Sequence, residues 1–255
     1  MSFFDSPIPD ERRAGAQARV VAHFGSERDA ALRALIQWLN LTLLLMFPWP
    51  AVVTFFDAPS VRPENTPLGW FLLRLAAPLL VLLITARFWR SSGAPGEVAT
   101  ARPVMELISQ NRLIGQIVLF LVGLALSTSA LLLLDDPSRA AKTLSVGLAE
   151  SLAIQVLIAG YVKSVLETLD GQPVSIFFTC LALFAVTFAI RSTLAALIQP
   201  DATAGLVIGA LGGGIIVGLV IGAGSLIMRD RTASLASGVA LQLLLATVIP
   251  AFIDP

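Results

Sequence analysis

Long apolar blocks separated by short polar stretches dominate the hydrophobic pattern of the chain. Six blocks approach or exceed the roughly 17–25 residues that cross a bilayer as an α-helix; they cover residues 41–56, 67–86, 113–134, 174–190, 204–228 and 233–253. A seventh segment, residues 143–165, is apolar apart from a few polar residues, among them Glu150, Gln155 and Lys163. The pattern predicts an all-α polytopic membrane protein, a bundle of about seven transmembrane helices. We place these spans at residues 33–56, 68–89, 113–134, 143–165, 174–199, 204–228 and 233–253.

A cytoplasmic amphipathic segment, residues 1–32, is expected ahead of the bundle, which occupies residues 33–255. Within it, Asp10–Phe24 combines arginines with apolar residues, which is typical of a solvated lead-in or of a helix lying on an anionic leaflet. Ser26 followed by Asp29 predicts a helix N-cap. Because the first 35 residues are charged and contain no apolar core region, we expect no signal peptide.

Composition and charge narrow the function classes. The chain is 56% hydrophobic and 13% charged, about half the charged fraction of a soluble domain, so soluble domains are excluded. The net charge of zero disfavours nucleic acid as a partner. One cysteine, Cys180, cannot form an intrachain disulfide or a multi-cysteine metal site. One histidine, His23, lies outside every apolar block, so we expect no intramembrane imidazole and no cofactor.

The distribution of positive charge predicts the membrane topology. Of the 17 lysines and arginines, 12 flank the spans on the side of the N-terminus, 3 flank them on the other side, and 2 lie within spans. The positive-inside rule then predicts a cytoplasmic N-terminus and an external C-terminus. We expect the protein in the inner (plasma) membrane of a bacterial cell. Trp70 and Trp89, 19 residues apart, and the lone Tyr161 are expected as anchors at the membrane surfaces.

Charged residues inside the spans define a candidate site. In the predicted topology Arg74, Glu150 and Arg191 lie about 9, 10 and 13 Å from the outer face, in one layer. Gln155 and Gln242 are expected deeper in the same cavity. The set is either an ion-paired lock with outward-reaching arginines or a binding site for an anionic solute.

The sixth span carries the clearest packing pattern. Two series of glycines recur at intervals of four: Gly205, Gly209 and Gly213, then Gly214, Gly218 and Gly222. Small residues at this spacing let a neighbouring helix backbone approach closely, so this helix is expected to be central or to form an interface. We expect no phosphate-binding loop and no serine nucleophile there, because the necessary lysine and histidine are missing.

The glycine-rich stretch 209–224 is followed by Met-Arg-Asp-Arg-Thr-Ala-Ser-Leu at 228–235 and by an Ala/Gly-rich helix. This order resembles the C-terminal half of the CAAX-protease and bacteriocin-processing (CPBP, or Abi) family of intramembrane proteases. The resemblance covers about residues 145–250. It implies a hydrolase in which glutamates and histidines activate a water, and it places Gln242 and Ala246 where the family has a catalytic His and its Asn partner.

The chain lacks most of the side chains that carry out catalysis in that family. The resemblance aligns Ala149 and Glu150 with two adjacent glutamates, Ile154 with an arginine, and Phe188 with a histidine. Without a base or metal ligands, water activation has no agent. The resemblance therefore implies a degenerate, non-catalytic member with a polar pocket around Glu150 and Gln242.

Three functions follow in order of expectation. The first is a non-enzymatic scaffold or accessory subunit that packs against other membrane proteins through the glycine-rich helix, with the lipid bilayer as its second partner. The second is a transport permease that uses the Arg/Glu layer. The third is an active CPBP-like protease.

Overall fold

The computed structural model describes residues 10–48, 50, 68–94, 137–169, 172–199, 202–232 and 235–243, and the regular elements in these ranges are all helical. Residues 236–243 form a short helical stretch. The longer elements are α1 (Asp10–Phe24), α2 (Glu27–Met46), α3 (Leu68–Ser92), α4 (Pro137–Gln155), a π-helical segment (Val156–Val162), α5 (Lys163–Thr168), α6 (Pro173–Leu197) and α7 (Ala204–Thr232).

Five stretches of the described helices are long and apolar enough to cross a membrane. They are Glu27–Met46, Arg74–Ser92, Leu144–Thr168, Pro173–Leu197 and Ala204–Arg231. The prediction of an all-α chain with membrane-spanning helices is confirmed at this level. Four predicted spans coincide with helices, and the helix at the first predicted span, α2, begins after the predicted N-cap Ser26 and ends at Met46, just ahead of Pro48. The third predicted span and most of the seventh lie outside the described residues, so the count of seven stays a prediction.

The N-terminal segment forms a helix over the predicted residues, Asp10–Phe24. Its apolar face, made of Ala16, Val20 and Phe24, is buried in the protein, and α1 contacts α2, α3 and α5. The Ser26 hydroxyl then accepts a hydrogen bond from the Asp29 amide at 3.1 Å, the predicted N-cap of α2. The apolar face of α1 therefore packs on the bundle.

The centre of the bundle is the continuous helix formed by α4, the π-helical segment and α5. In its most apolar window 67% of the residues are buried, against 17% for α7. Six of the seven residues of the π-helical segment are buried, and the segment contacts α2, α3, α6 and α7. The glycine-rich α7 is therefore not the central helix. Its most extensive contact is with α6, to which it is joined by a short connection.

Candidate functional site

Glu150 and Arg191 form an ion pair between α4 and α6. The Arg191 Nη2 atom lies 2.6 Å from Glu150 Oε2, and the two side chains are 34% and 17% exposed. Arg74, the third member of the predicted layer, is half-buried on α3, which packs beside α4. The structure therefore brings Glu150 and Arg191 together at a site that is open on the arginine side.

Gln155, Ser225 and Gln242 form a second, fully enclosed polar contact. The Gln155 side-chain amide donates to Ser225 Oγ at 2.9 Å and to Gln242 Oε1 at 3.0 Å. All three side chains are at most 1% exposed. Gly238 packs against this group, because a Cβ there would lie 2.7 Å from Gln155 Oε1. The contact joins α4 to α7 and to the 236–243 stretch.

The Glu150–Arg191 contact and the Gln155–Ser225–Gln242 contact lie on different sides of α4, whereas the sequence predicted them in one cavity. Glu150 and Gln155 are five residues apart on α4, so their side chains leave the helix in directions about 140° apart. Glu150 meets α6, whereas Gln155 meets α7 and the 236–243 stretch. Glu150 pairs with Arg191 and Gln155 with Gln242, and each contact joins α4 to a different neighbour.

A third polar group, which the sequence reasoning missed, lies where α5 meets the end of α7. Arg229 is fully buried and binds Glu167 through two parallel hydrogen bonds of 2.8 Å. The Arg229 guanidinium also contacts Ser164 Oγ at 3.3 Å and Asp230 Oδ1 at 3.1 Å. Lys163 pairs with Asp230 and lies 3.5 Å from Glu167. We call these two cations and two anions the buried ion network; its formal charge is zero.

Lys163 and Arg229 belong to the 12 lysines and arginines that the topology prediction places beside the spans on the side of the N-terminus. The structure shows 3% exposure for Lys163 and none for Arg229, so neither is a solvated flank. One signal was available in the sequence, since Lys163 and Glu167 are four residues apart and face each other on a helix. The partner on α7 was not predictable from spacing, because it depends on how two distant spans pack.

Two aromatic residues expected at the membrane surfaces lie in the protein interior. Tyr161 is fully buried, and its hydroxyl donates to Gln37 of α2. Trp89 is 6% exposed and packs against Gly160, where a Cβ would lie 2.7 Å from the indole. The interpretation of both as interfacial anchors is wrong: they tie α2 and α3 to the π-helical segment.

The glycines of α7 fall on two different faces. Gly214, Gly218 and Gly222 form the closed glycine face, because a Cβ on Gly218 would lie 2.6 Å from Ala185 Cα and 2.7 Å from the Phe184 carbonyl oxygen of α6. Added Cβ atoms at the other two would lie 2.6 and 2.8 Å from the same helix. Here α6 and α7 are in backbone contact. Phe188 supplies the carbonyl oxygen that lies 2.6 Å from a Cβ added on Gly214.

Gly209, Gly212 and Gly213 form the open glycine face, where an added Cβ would lie within 4 Å of no atom of the described residues. Gly205 resembles them, with only the Thr203 hydroxyl at 4.0 Å. Gly209 and Gly218 are nine residues apart, so they point in opposite directions from the helix axis. Only the second glycine series therefore packs against a helix of the described chain.

The chain offers few groups for metal or covalent chemistry. No group of three or more His, Cys, Asp and Glu residues suited to a metal occurs among the described residues. Cys180 is a free, fully buried thiol on α6. Comparisons with protein-family models, with curated proteins and with solved structures find no match to the chain. Its function is therefore inferred from its own residues.

Proposed function

We propose that the protein is a non-catalytic scaffold or accessory subunit of the inner (plasma) membrane, and that a helix of a partner membrane protein packs on the open glycine face of α7. The difference between the two glycine faces carries this proposal. The closed face receives the backbone of α6, and the open face has the same residue type at similar spacing with no described residue packed against it. Helix association in lipid relies on such close backbone packing.

The side chains around the open face favour a helix over a globular ligand. Ile208, Ile216 and Val220 are 69%, 64% and 56% exposed, and they border the glycines along the helix. A shallow glycine strip between bulky aliphatic side chains matches the ridge of a second transmembrane helix. Residues 204–224 of α7 carry no polar side chain that would fix a small molecule.

We extend the proposal to a seven-span topology with a cytoplasmic N-terminus. Contacts of α1 with α2, α3 and α5 gather the start of α2 and the end of α3 at one end of the bundle. Exposed arginines concentrate there, including Arg28 and Arg33 on α2 and Arg87 and Arg90 on α3. Such a concentration supports a cytoplasmic location for this end.

We propose that the protein is not a catalyst because its charged groups inside the bundle are paired with one another. Glu167, Arg229, Lys163 and Asp230 bind one another, and Glu150 binds Arg191, so these groups hold helices together. Where the CPBP family has a catalytic histidine, this chain has Gln242, whose amide cannot act as a general base. We infer a degenerate relative of that family, in which the amide contact to Gln155 replaces the active site.

The permease remains the second candidate because of Arg191. This side chain is 34% exposed although it is ion-paired, so its guanidinium is accessible to an anionic solute. Flux of an anion through reconstituted vesicles that falls with Arg191→Gln, while the variant still folds, would favour transport over the subunit role.

Site-specific cross-linking tests the subunit proposal. In a Cys180→Ala background, single cysteines at Gly209 and Gly213 are coupled to a small photoreactive thiol reagent in native membranes. Cysteines at Leu211 and Ile215 are the matched controls, because they are 43% and 39% exposed and lie at similar depth on the other side of the helix.

The expected result is a protein adduct of one defined mass from the two glycine positions and lipid labelling alone from the controls. Lipid labelling alone at all four positions, or the same adduct from all four, would contradict the proposal. An adduct of two 27.0 kDa chains would replace the accessory role with self-association.

A further inference from the structure

The exposed face of α3 ends in a cationic groove that no function discussed above uses. The groove has a volume of about 660 Å³ and is lined by Leu83, Ala86, Arg87, Arg90 and Ser91. Leu83 is 69% exposed, and both arginines are exposed. An apolar wall and two guanidinium groups therefore share one surface depression.

Arg87 and Arg90 supply the positive charge of the groove. Within the part of the chain that the structure describes, neither guanidinium makes a hydrogen bond or an ion pair, and the groove contains no carboxylate. Arg19 of α1 adds positive charge nearby, because its Cβ packs against Gly93 just beyond the end of α3. The arginines of the groove are thus available to an anion.

An apolar stripe leads from the arginines along α3. Leu79 and Leu80 are 48% and 46% exposed, and with Leu83 and Arg87 they occupy one side of the helix at intervals of three and four residues. From Leu79 to Arg87 the helix rises about 12 Å, close to the thickness of one leaflet of hydrocarbon. The surface is apolar along one leaflet and cationic at its end.

We propose that this groove binds one anionic phospholipid, with its phosphate between Arg87 and Arg90 and an acyl chain along the Leu79–Leu80–Leu83 stripe. Arginine pairs bind phosphate oxygens by charge-assisted hydrogen bonds, and basic pockets at the cytoplasmic ends of spans recognise anionic head groups. The continuous apolar stripe selects a lipid over a soluble phosphate. This site does not depend on the open glycine face.

Native mass spectrometry of the purified full-length protein tests the site. The protein is titrated with phosphatidylglycerol and, separately, with phosphatidylcholine of the same acyl chains. We expect one phosphatidylglycerol to be retained in preference to phosphatidylcholine. Arg87→Gln with Arg90→Gln is expected to weaken this binding about 30-fold, from about 1 kcal/mol per arginine near a membrane surface.

Two controls separate the groove from other sources of binding. Arg28→Gln with Arg33→Gln removes two exposed arginines from α2 at the same end of the bundle and should leave retention unchanged. Leu83→Asn should weaken retention, whereas 10 mM inorganic phosphate should not displace the lipid. Equal retention of both lipids, an equal loss in the α2 variant, or displacement by phosphate would each overturn the proposal.

Discussion

Removing Arg229 from the buried ion network should destabilise the protein more than any other single charge deletion at that end of the bundle. The Arg229→Met side chain retains apolar bulk, but Glu167 loses both of its 2.8 Å hydrogen bonds while it is only 5% exposed. Lys163 is then the one cation of the buried ion network left for its two carboxylates. Removing one partner of a buried ion pair costs about 3–5 kcal/mol, and we expect Arg229→Met to fall in that range.

A double-mutant cycle tests whether the cost comes from the unpaired charge. Glu167→Met combined with Arg229→Met leaves Lys163 paired with Asp230 and should be more stable than Arg229→Met alone. Replacing a whole buried pair by apolar residues is often neutral, so the coupling free energy should be at least about 2 kcal/mol.

Unfolding in mixed micelles with increasing SDS, followed by tryptophan fluorescence, measures these free energies. Arg231→Met is the matched control, because Arg231 is exposed two residues further along α7 and should change stability by less than about 1 kcal/mol. A loss of under about 1 kcal/mol in Arg229→Met, or strict additivity in the double variant, would refute the network as a stabilising contact between α5 and α7.

Three further substitutions test helix packing with the same unfolding assay. Gly218→Ala places a Cβ within 3 Å of backbone atoms of α6 and should cost about 1–3 kcal/mol, whereas Gly212→Ala in the open face should stabilise by about 0.5–1 kcal/mol. A similar change in both would contradict the distinction between the two faces. Gln155→Leu removes the donor of two buried hydrogen bonds and should cost about 1–3 kcal/mol; an unchanged midpoint would show that this contact is not structural.

Local signals in the sequence predicted the helices well. Hydrophobic block length located α3, α6 and α7, and the Ser26–Asp29 spacing located the start of α2. These features depend on residues close together in the chain, where helix geometry alone decides which groups meet. The predicted first span begins at residue 33, whereas α2 begins at Glu27, where the Ser26–Asp29 spacing predicts the helix start.

Features that depend on packing between distant helices were harder to predict. From the sequence, Lys163 and Arg229 are predicted to be charges that flank the spans. The structure shows that both are buried, because α5 and the end of α7 meet at the Arg229–Glu167 ion pair. The residue types of Tyr161 and Trp89 are typical of a membrane surface. In the structure both are buried, because Tyr161 donates a hydrogen bond to Gln37 and Trp89 packs against Gly160. Glycine spacing predicted close packing on α7, yet only the structure shows which series α6 covers.

The size of the complex extracted from native membranes tests the subunit role most directly. Blue native electrophoresis of the wild-type protein in mild detergent should show a particle containing more than one protein species. Gly209→Leu with Gly213→Leu should release the 27.0 kDa chain as a folded monomer, because leucines on the open glycine face block a partner backbone. A wild-type chain that migrates alone, or a partner retained by the double variant, would contradict the account.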